Sequence, residues 1–481
     1  MSNQLARLAN TCILPGFAGT AAPAWLRREL DAGLGGVVLF ARNVHDREQL
    51  AELVQSIRTT PETVIAIDEE GGNVTRLDAG AGSPVPGNLA LGTVDDVDLT
   101  ERVARALGNE LHAVGVTHDL APVADVNTNP LNPVIGVRSF GPDPALVSRH
   151  VAAFVQGLQA AGIAACAKHF PGHGATEVDS HVGLPTVATS REALLEVELA
   201  PFRAAIAAGT RAIMTAHIVV PAIDSAPATL SRAHLNGLLR EELGFTGMIV
   251  TDALEMQAVS ATVGMEEGAV LALAAGADAL CLGHDIDAGD VARVRVAIER
   301  AVQEGRLSEE LLAVAAARVT GSGLTSAPGG PAPELVAEVG LEAARRAARC
   351  EGPVTTAGPL VVVDLSIPPS VAAGPAAHDL ASVLAERGAD VVAVRLDGPG
   401  GQPAAVVAAN PGRRSVVVVQ NADRYPWVRE TVEALIAAAP GTVVVDVGYP
   451  GGPVGPPGTA RIATFGAARA CYVAAAERLL G

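Results

Sequence analysis

Residues 168–185 read KHFPGHGATEVDSHVGLP, which sets Lys168, His169, His173, Glu177, Asp179 and His181 in one short stretch directly after an apolar run. Pro and Gly punctuate it throughout, so it reads as a loop that can aim polar groups rather than bury them. Asp179 and His181 stand two apart. That spacing suits a dyad in which the carboxylate orients the imidazole and raises its proton affinity. An imidazole titrating near neutrality can give and later take back a proton, the work of a general acid/base. Asp252 ends the apolar run Met248 to Thr251 and is the candidate nucleophile. A carboxylate there could attack a sugar C1 and form a glycosyl-enzyme, provided a second group protonates the leaving oxygen.

Two further stretches carry binding chemistry. In IDEEGGNVTRL (67–77), Asp68 could accept from two vicinal hydroxyls, and Arg76 is available to hold that carboxylate or the sugar. In NPVIGVRSFG (132–141), Arg138 offers a fixed guanidinium fork to a hydroxyl or carbonyl ligand. His169, His173, His181 and Asp179 are zinc-type ligands, but the His169 to His173 spacing serves a metal best on a helix, which Pro171, Gly172 and Gly174 interrupt. Neither a P-loop nor a dinucleotide fingerprint is present. The expectation is a site with no metal and no cofactor.

These residues need elements to position them. Short β-branched runs alternate with stretches of helical period up to about residue 320. Eight strand candidates are 12–15, 36–40, 63–68, 115–122, 163–169, 212–217, 248–252 and 277–282, with helices predicted over 46–59, 99–113, 144–161, 191–208 and 232–243. Asp68, Asp125, Lys168 with His169, His217, Asp252 and His284 with Asp285 each follow the apolar part of a strand. In a (β/α)8 TIM-type barrel the strand C-termini share one face, and that face carries catalysis. The predicted organisation is a barrel domain over 1–325, a linker and bridging helix over 326–350, and a smaller αβα sandwich over 351–481. Strands of the sandwich are predicted at 360–365, 390–396, 415–420 and 442–447, and helices at 334–350, 378–387, 427–438 and 467–480.

Bulk properties exclude several classes. The 481 residues are 49% hydrophobic and only 3% aromatic, with 34 Lys+Arg against 52 Asp+Glu and a formal charge of −18. That charge repels nucleic acid phosphates, and scarce aromatics favour a short polar pocket over long stacking tracks. No apolar run reaches the roughly 18 residues of a membrane helix, and the first residues lack the charged and apolar regions of a signal peptide. Five scattered cysteines form no CxxC pair. A cytoplasmic protein acting on a small carbohydrate is expected, with no nucleic acid or membrane partner and the oligomeric state open.

FARNV (40–44), IDEEGGNVTRL (67–77), APVADVNTNPLNPVIGVRSFG (121–141), the 168–185 stretch, IMTAHI (213–218) and TDALEM (251–256) together resemble glycoside hydrolase family 3. KHFPGHG followed by Asp-Ser-His is similar to the β-N-acetylglucosaminidase branch, since the β-glucosidase branch lacks this histidine dyad. The resemblance implies an exo-acting retaining enzyme with Asp252 as nucleophile and His181 as general acid/base assisted by Asp179. It also implies that Asp68, Arg138, Lys168 and His169 hold the hydroxyls of a terminal N-acetylglucosamine, with Arg76 beside them and His217 on the pocket floor. Inorganic phosphate as acceptor, and a non-catalytic sugar-binding protein, are the alternatives. Chitobiose, longer chitooligosaccharides and anhydromuramoyl wall fragments all present the required terminal sugar.

Overall fold

The computed structural model describes residues 2–181, 183–324, 334–368, 370–374 and 378–481. Its first region is built on eight parallel strands: β1 (Ile13–Pro15), β2 (Gly36–Leu39), β3 (Val64–Ile67), β4 (His118–Asp119), β5 (Ala164–Phe170), β6 (Ala212–Thr215), β7 (Met248–Val250) and β8 (Leu280–Gly283). β2 to β7 form one sheet in sequence order, and β1 pairs with β8. A parallel bridge between Val250 and Ala279 joins β7 to the approach of β8, while Gly35 N donates to Asn10 O at 3.1 Å on the other side.

Residues along these strands alternate between two buried faces, as a period of two requires. Leu14, Val38, Ala66, Cys166, Met214, Val250 and Cys281 form one apolar cluster on the inner face. Their neighbours Ile13, Val37, Ile65, Ala165, Ile213, Ile249 and Leu280 pack outward on the helices. The helix Pro144–Ala160 begins as its sequence demands: Pro144 stands in the first turn and Asp143 accepts from the backbone of Ala145 and Leu146.

Several predicted elements differ. The strand expected over 115–122 shortens to His118–Asp119, because Pro122 has no N–H for the ladder. The helix expected over 191–208 breaks into Arg191–Ala193, a π-helical Leu194–Glu198 and Ala200–Ala207. Pro201 cannot donate to Val197, so the ladder widens there. The segment 232–243 is π-helical over Ala233–Glu242. No helix starts at Asp252; the next begins at Gln257, so Asp252 is not a helix cap.

The second region has a six-stranded sheet in the order β11, β10, β12, β13, β14, β9. Its members are β9 (Arg349–Glu351), β10 (Leu360–Leu365), β11 (Val391–Leu396), β12 (Arg414–Val419), β13 (Val443–Asp446) and β14 (Arg461–Ala463). β9 is antiparallel to β14 and the remaining pairs are parallel. β9 replaces the end of the helix predicted over 334–350, which runs only over Val336–Ala347. Residues 325–333 of the predicted linker lie outside the described residues. No described helix is long and apolar enough to cross a membrane.

The C-terminal strand ends of the second sheet meet the first region. Ala467 N donates to Asn73 Oδ1 at 2.8 Å, Arg424 to Pro133 O at 3.1 Å, and Arg76 to Ala372 O at 2.9 Å.

Candidate active site

Asp68 and Glu70 leave β3 two residues apart and share a face, whereas Glu69 between them points away. Lys168, on β5, reaches Asp68 Oδ1 at 2.6 Å and Glu70 Oε1 at 2.7 Å. Arg138 holds Glu70 through Nε at 2.9 Å and Nη2 at 2.7 Å, a bidentate pair. Burial pushes Glu70 up, but Arg138 and Lys168 overcome it and leave the carboxylate well below its usual range. The same pairing raises Lys168 against its own burial. Glu70 therefore stays ionised between two charged cations. Arg76 stands 3.7 Å from Asp68 Oδ2. Glu69 is held apart from this network, its Oε2 accepting from Arg76 N and Leu77 N, and burial pushes it up to about 7.

The KHFPGHG segment is anchored by Asp125, which is fully buried. Its Oδ2 lies 2.7 Å from His169 Nδ1, and its Oδ1 accepts from His173 N at 2.7 Å. The other ring nitrogen of His169 is 3.5 Å from Arg138 Nη2. His173 is turned inward, with Nδ1 at 2.7 Å from Thr176 Oγ1 and Nε2 at 3.0 Å from Ser180 Oγ. Burial pushes this imidazole down to about 4, so it is neutral at physiological pH. Glu177 points outward and is exposed.

Asp179 and His181 meet at 2.6 Å between Oδ1 and Nδ1, and the same oxygen accepts from His181 N at 2.9 Å. Burial would lower the imidazole's affinity for its proton; the hydrogen bond to Asp179 and the charges of Asp252 and Asp179 reverse this and raise it. Asp252 is half-buried and accepts from Ala253 N at 2.8 Å. Burial pushes its carboxyl up, but His217, His169, His181 and that backbone bond together hold it below the usual range. His217 has both nitrogens engaged, by Thr229 Oγ1 at 2.8 Å and Ala253 O at 3.0 Å, so it lines the site without a free polar atom. An ionised carboxylate thus faces three imidazoles, one of them biased toward its protonated form. That combination can perform nucleophilic attack and proton transfer.

The structure brings the nine residues given a catalytic or binding role in the sequence, Asp68, Arg76, Arg138, Lys168, His169, Asp179, His181, His217 and Asp252, to the C-terminal ends of β3 to β7 or into the loops that follow them. Sequence reasoning missed Glu70 and assigned no task to Asp125. The signal for Glu70 was its place two residues after Asp68 on the same face. Asp125 had the signal of a strand-end carboxylate but no visible partner. Among the described residues no group of three or more His, Cys, Asp or Glu could hold a metal ion.

An α/β fold with a parallel sheet and a polar face at its strand ends defines a class, and the comparisons with known proteins agree with it. Residues 22–321 match the Glycosyl hydrolase family 3 N terminal domain. The chain belongs to that family and is a glycoside hydrolase. A β-hexosaminidase of Neisseria meningitidis serogroup C is 39% identical over 276 residues, covering 56% of this chain and 76% of that protein. β-Hexosaminidase A of Pseudoalteromonas piscicida is 36% identical over 314 residues, 60% of this chain; the chain spans only 52% of that relative's length. The structure of a glycoside hydrolase family 3 β-N-acetylglucosaminidase from Paenibacillus sp. str. FPU-7 superposes with a TM-score of 0.89 at 35% identity, covering 99% of this chain and 96% of that one.

Proposed function

We propose that this protein is an exo-acting, retaining β-N-acetylglucosaminidase that removes terminal non-reducing N-acetylglucosamine from chitooligosaccharides or cell-wall fragments. The observation that carries it is the Asp252 carboxylate, held below the usual carboxylate range, near an imidazole whose proton affinity Asp179, bonded to it at 2.6 Å, raises. In the first step Asp252 attacks C1 as the proton of His181 passes to the glycosidic oxygen, and the leaving sugar departs with that proton. In the second step neutral His181 takes a proton from water, the water oxygen bonds to C1, and Asp252 leaves as carboxylate. Two displacements return the original anomeric configuration.

Asp68, Lys168, Arg138, His169 and Arg76 hold the sugar hydroxyls in this reading, with Glu70 keeping the cations in place. It goes with a complete (β/α)8 barrel over 1–325, a linker and bridging helix over 326–350 and a sandwich domain over 351–481. Similarity to the β-N-acetylglucosaminidase of Paenibacillus supports the acetamido sugar, and similarity to the β-hexosaminidase of Neisseria supports a hexosaminide.

The test is release of p-nitrophenol from the β-N-acetylglucosaminide and from the β-glucoside, beside an Asp252→Ala variant, in phosphate and in phosphate-free buffer. Release from the acetamido sugar alone is expected, with β-N-acetylglucosamine as the first product and loss of at least about 10³-fold in the variant. Preference for the glucoside, formation of sugar 1-phosphate in place of free sugar, or no loss in the variant would overturn the proposal.

A further inference from the structure

Three pieces of sequence that the proposed chemistry leaves idle meet at one arc of the strand-end face. Phe40 and Arg42 follow β2, Glu255 lies just beyond Asp252, and His284 and Asp285 follow β8. The arc is contiguous with the nucleophile, since β8 adjoins β1 through its ladder and β7 through the Val250 bridge. Glu255 Oε1 accepts from His284 N at 2.8 Å and also meets the Nδ1 of that ring. The Nε2 makes no hydrogen bond among the described residues; Asp285 Oδ2 stands 3.9 Å away, and the side chain is 43% exposed. The Phe40 ring lies 5.9 Å from the imidazole at an interplanar angle of 59°. Arg42 pairs with Asp285.

The backbone is cleared to seat these groups. A Cβ on Gly283 would fall 2.0 Å from Glu255 Cδ, and one on Gly16 would fall 2.7 Å from Phe40 Cε2. Oriented imidazole, aromatic ring and carboxylates on the strand-end face form a binding surface for a hydroxylated ring, because they offer an apolar face together with acceptors for its hydroxyl protons.

We propose that Phe40, Glu255, His284 and Asp285 form the subsite for the leaving sugar, and that it selects a neutral sugar over one carrying a carboxylate. The inference rests on the glycosidase reading above and deepens it. Two formal negative charges face this surface, and its one guanidinium is already paired with Asp285. A lactyl carboxylate on the leaving sugar would meet like charge without a free cation, and such juxtaposition selects against it. The hydroxyls of N-acetylglucosamine meet no such penalty. Chitooligosaccharides are thereby favoured over anhydromuramoyl fragments.

The experiment compares kcat/KM of the full chain on chitobiose, on N-acetylglucosaminyl-anhydromuramic acid and on methyl β-N-acetylglucosaminide, whose leaving group is too short to reach the surface. Wild type should prefer chitobiose to the anionic disaccharide. His284→Ala should lose about 10-fold on chitobiose, the scale of one good hydrogen bond, with the methyl glycoside unchanged. Asp285→Lys should narrow the preference by improving the anionic substrate. Parallel losses on chitobiose and the methyl glycoside, an unchanged ratio in Asp285→Lys, or a wild-type preference for the anionic sugar would overturn the subsite. Absence of turnover on all three substrates would instead overturn the glycosidase reading on which it rests.

Discussion

Asp125 with His169 and Asp179 with His181 are carboxylate–imidazole pairs of almost the same length, 2.7 and 2.6 Å, yet their surroundings differ. Asp125 is sealed, and besides the ring it accepts from two backbone amides, His169 N at 3.2 Å and His173 N at 2.7 Å. Asp179 accepts from one amide, and its partner ring keeps 24% of its surface open against 9% for His169. A proton donor must exchange with solvent and substrate, whereas a group that fixes a loop must not. Enclosure, not the length of the pair, separates the two tasks, and in the proposed mechanism the sealed pair positions the sugar site while the open pair moves the proton.

The strongest way to break this contrast is His181→Ala. Loss of the acid/base should cost roughly 10²–10⁴-fold in kcat/KM on chitobiose, and far less on a dinitrophenyl glycoside whose leaving group needs no proton. Equal losses on both substrates would remove the proton-transfer role. Because Asp179 and Asp252 raise the affinity of His181 for its proton against burial, the acid form persists above the ordinary imidazole value of 6.5. The alkaline limb of kcat/KM should lie above that value and move down in Asp179→Asn. The same shift gives stability that is present below the unfolded pKa and lost as pH rises through the folded one.

A second comparison sets Asp125→Ala against Asp179→Ala in thermal or urea unfolding. Stripping the sealed pair leaves a buried imidazole and two amides without their acceptor, for a cost of about 3–5 kcal/mol. The open pair should cost below about 1 kcal/mol. Similar losses in the two variants would erase the distinction.

A pH-dependent effect sharpens the picture behind the sealed pair. Glu198, in the π-helical turn, has an Oε2 without a hydrogen-bond partner among the described residues, and a Cβ on Gly172 would fall 2.5 Å from that atom. Burial, and then the charge of Asp125, push Glu198 up to about 8 from 4.5. The folded state therefore binds the extra proton between those values, and this group's contribution to stability falls as pH rises from 4.5 toward 8. Glu198→Gln keeps the neutral shape, so its unfolding midpoint should decline less over that window than that of wild type. An identical pH profile would mean that Glu198 is ionised in the fold.

Much of this was legible in one dimension. The strand predicted over 36–40 is Gly36–Leu39, and that predicted over 360–365 is Leu360–Leu365. Buried parallel strands are runs of apolar, β-branched residues, and a run is a property of neighbours in the chain. β9 and β14 went unseen because Arg-Cys-Glu and Arg-Ile-Ala carry no such run; their strand character comes from pairing with each other and, for β14, with β13.

The amino-acid sequence by itself determined which chemical groups are present, the alternation that puts Asp68 and Glu70 on one face, and the two-residue spacing that lets Asp179 reach His181. Those are short-range consequences of backbone geometry. Only the tertiary structure decided which charges neutralise each other and which stay available. Arg138 finds Glu70 across 68 residues, Lys168 finds Asp68 across 100, and Arg76 meets the carbonyl of Ala372 across 296. Burial decided the rest: the same imidazole is neutral at His173 and disposed to hold its proton at His181, because one is enclosed by hydroxyls and the other faces carboxylates. Desolvation and long-range pairing depend on the three-dimensional surroundings of a group, and no local pattern of residues encodes them.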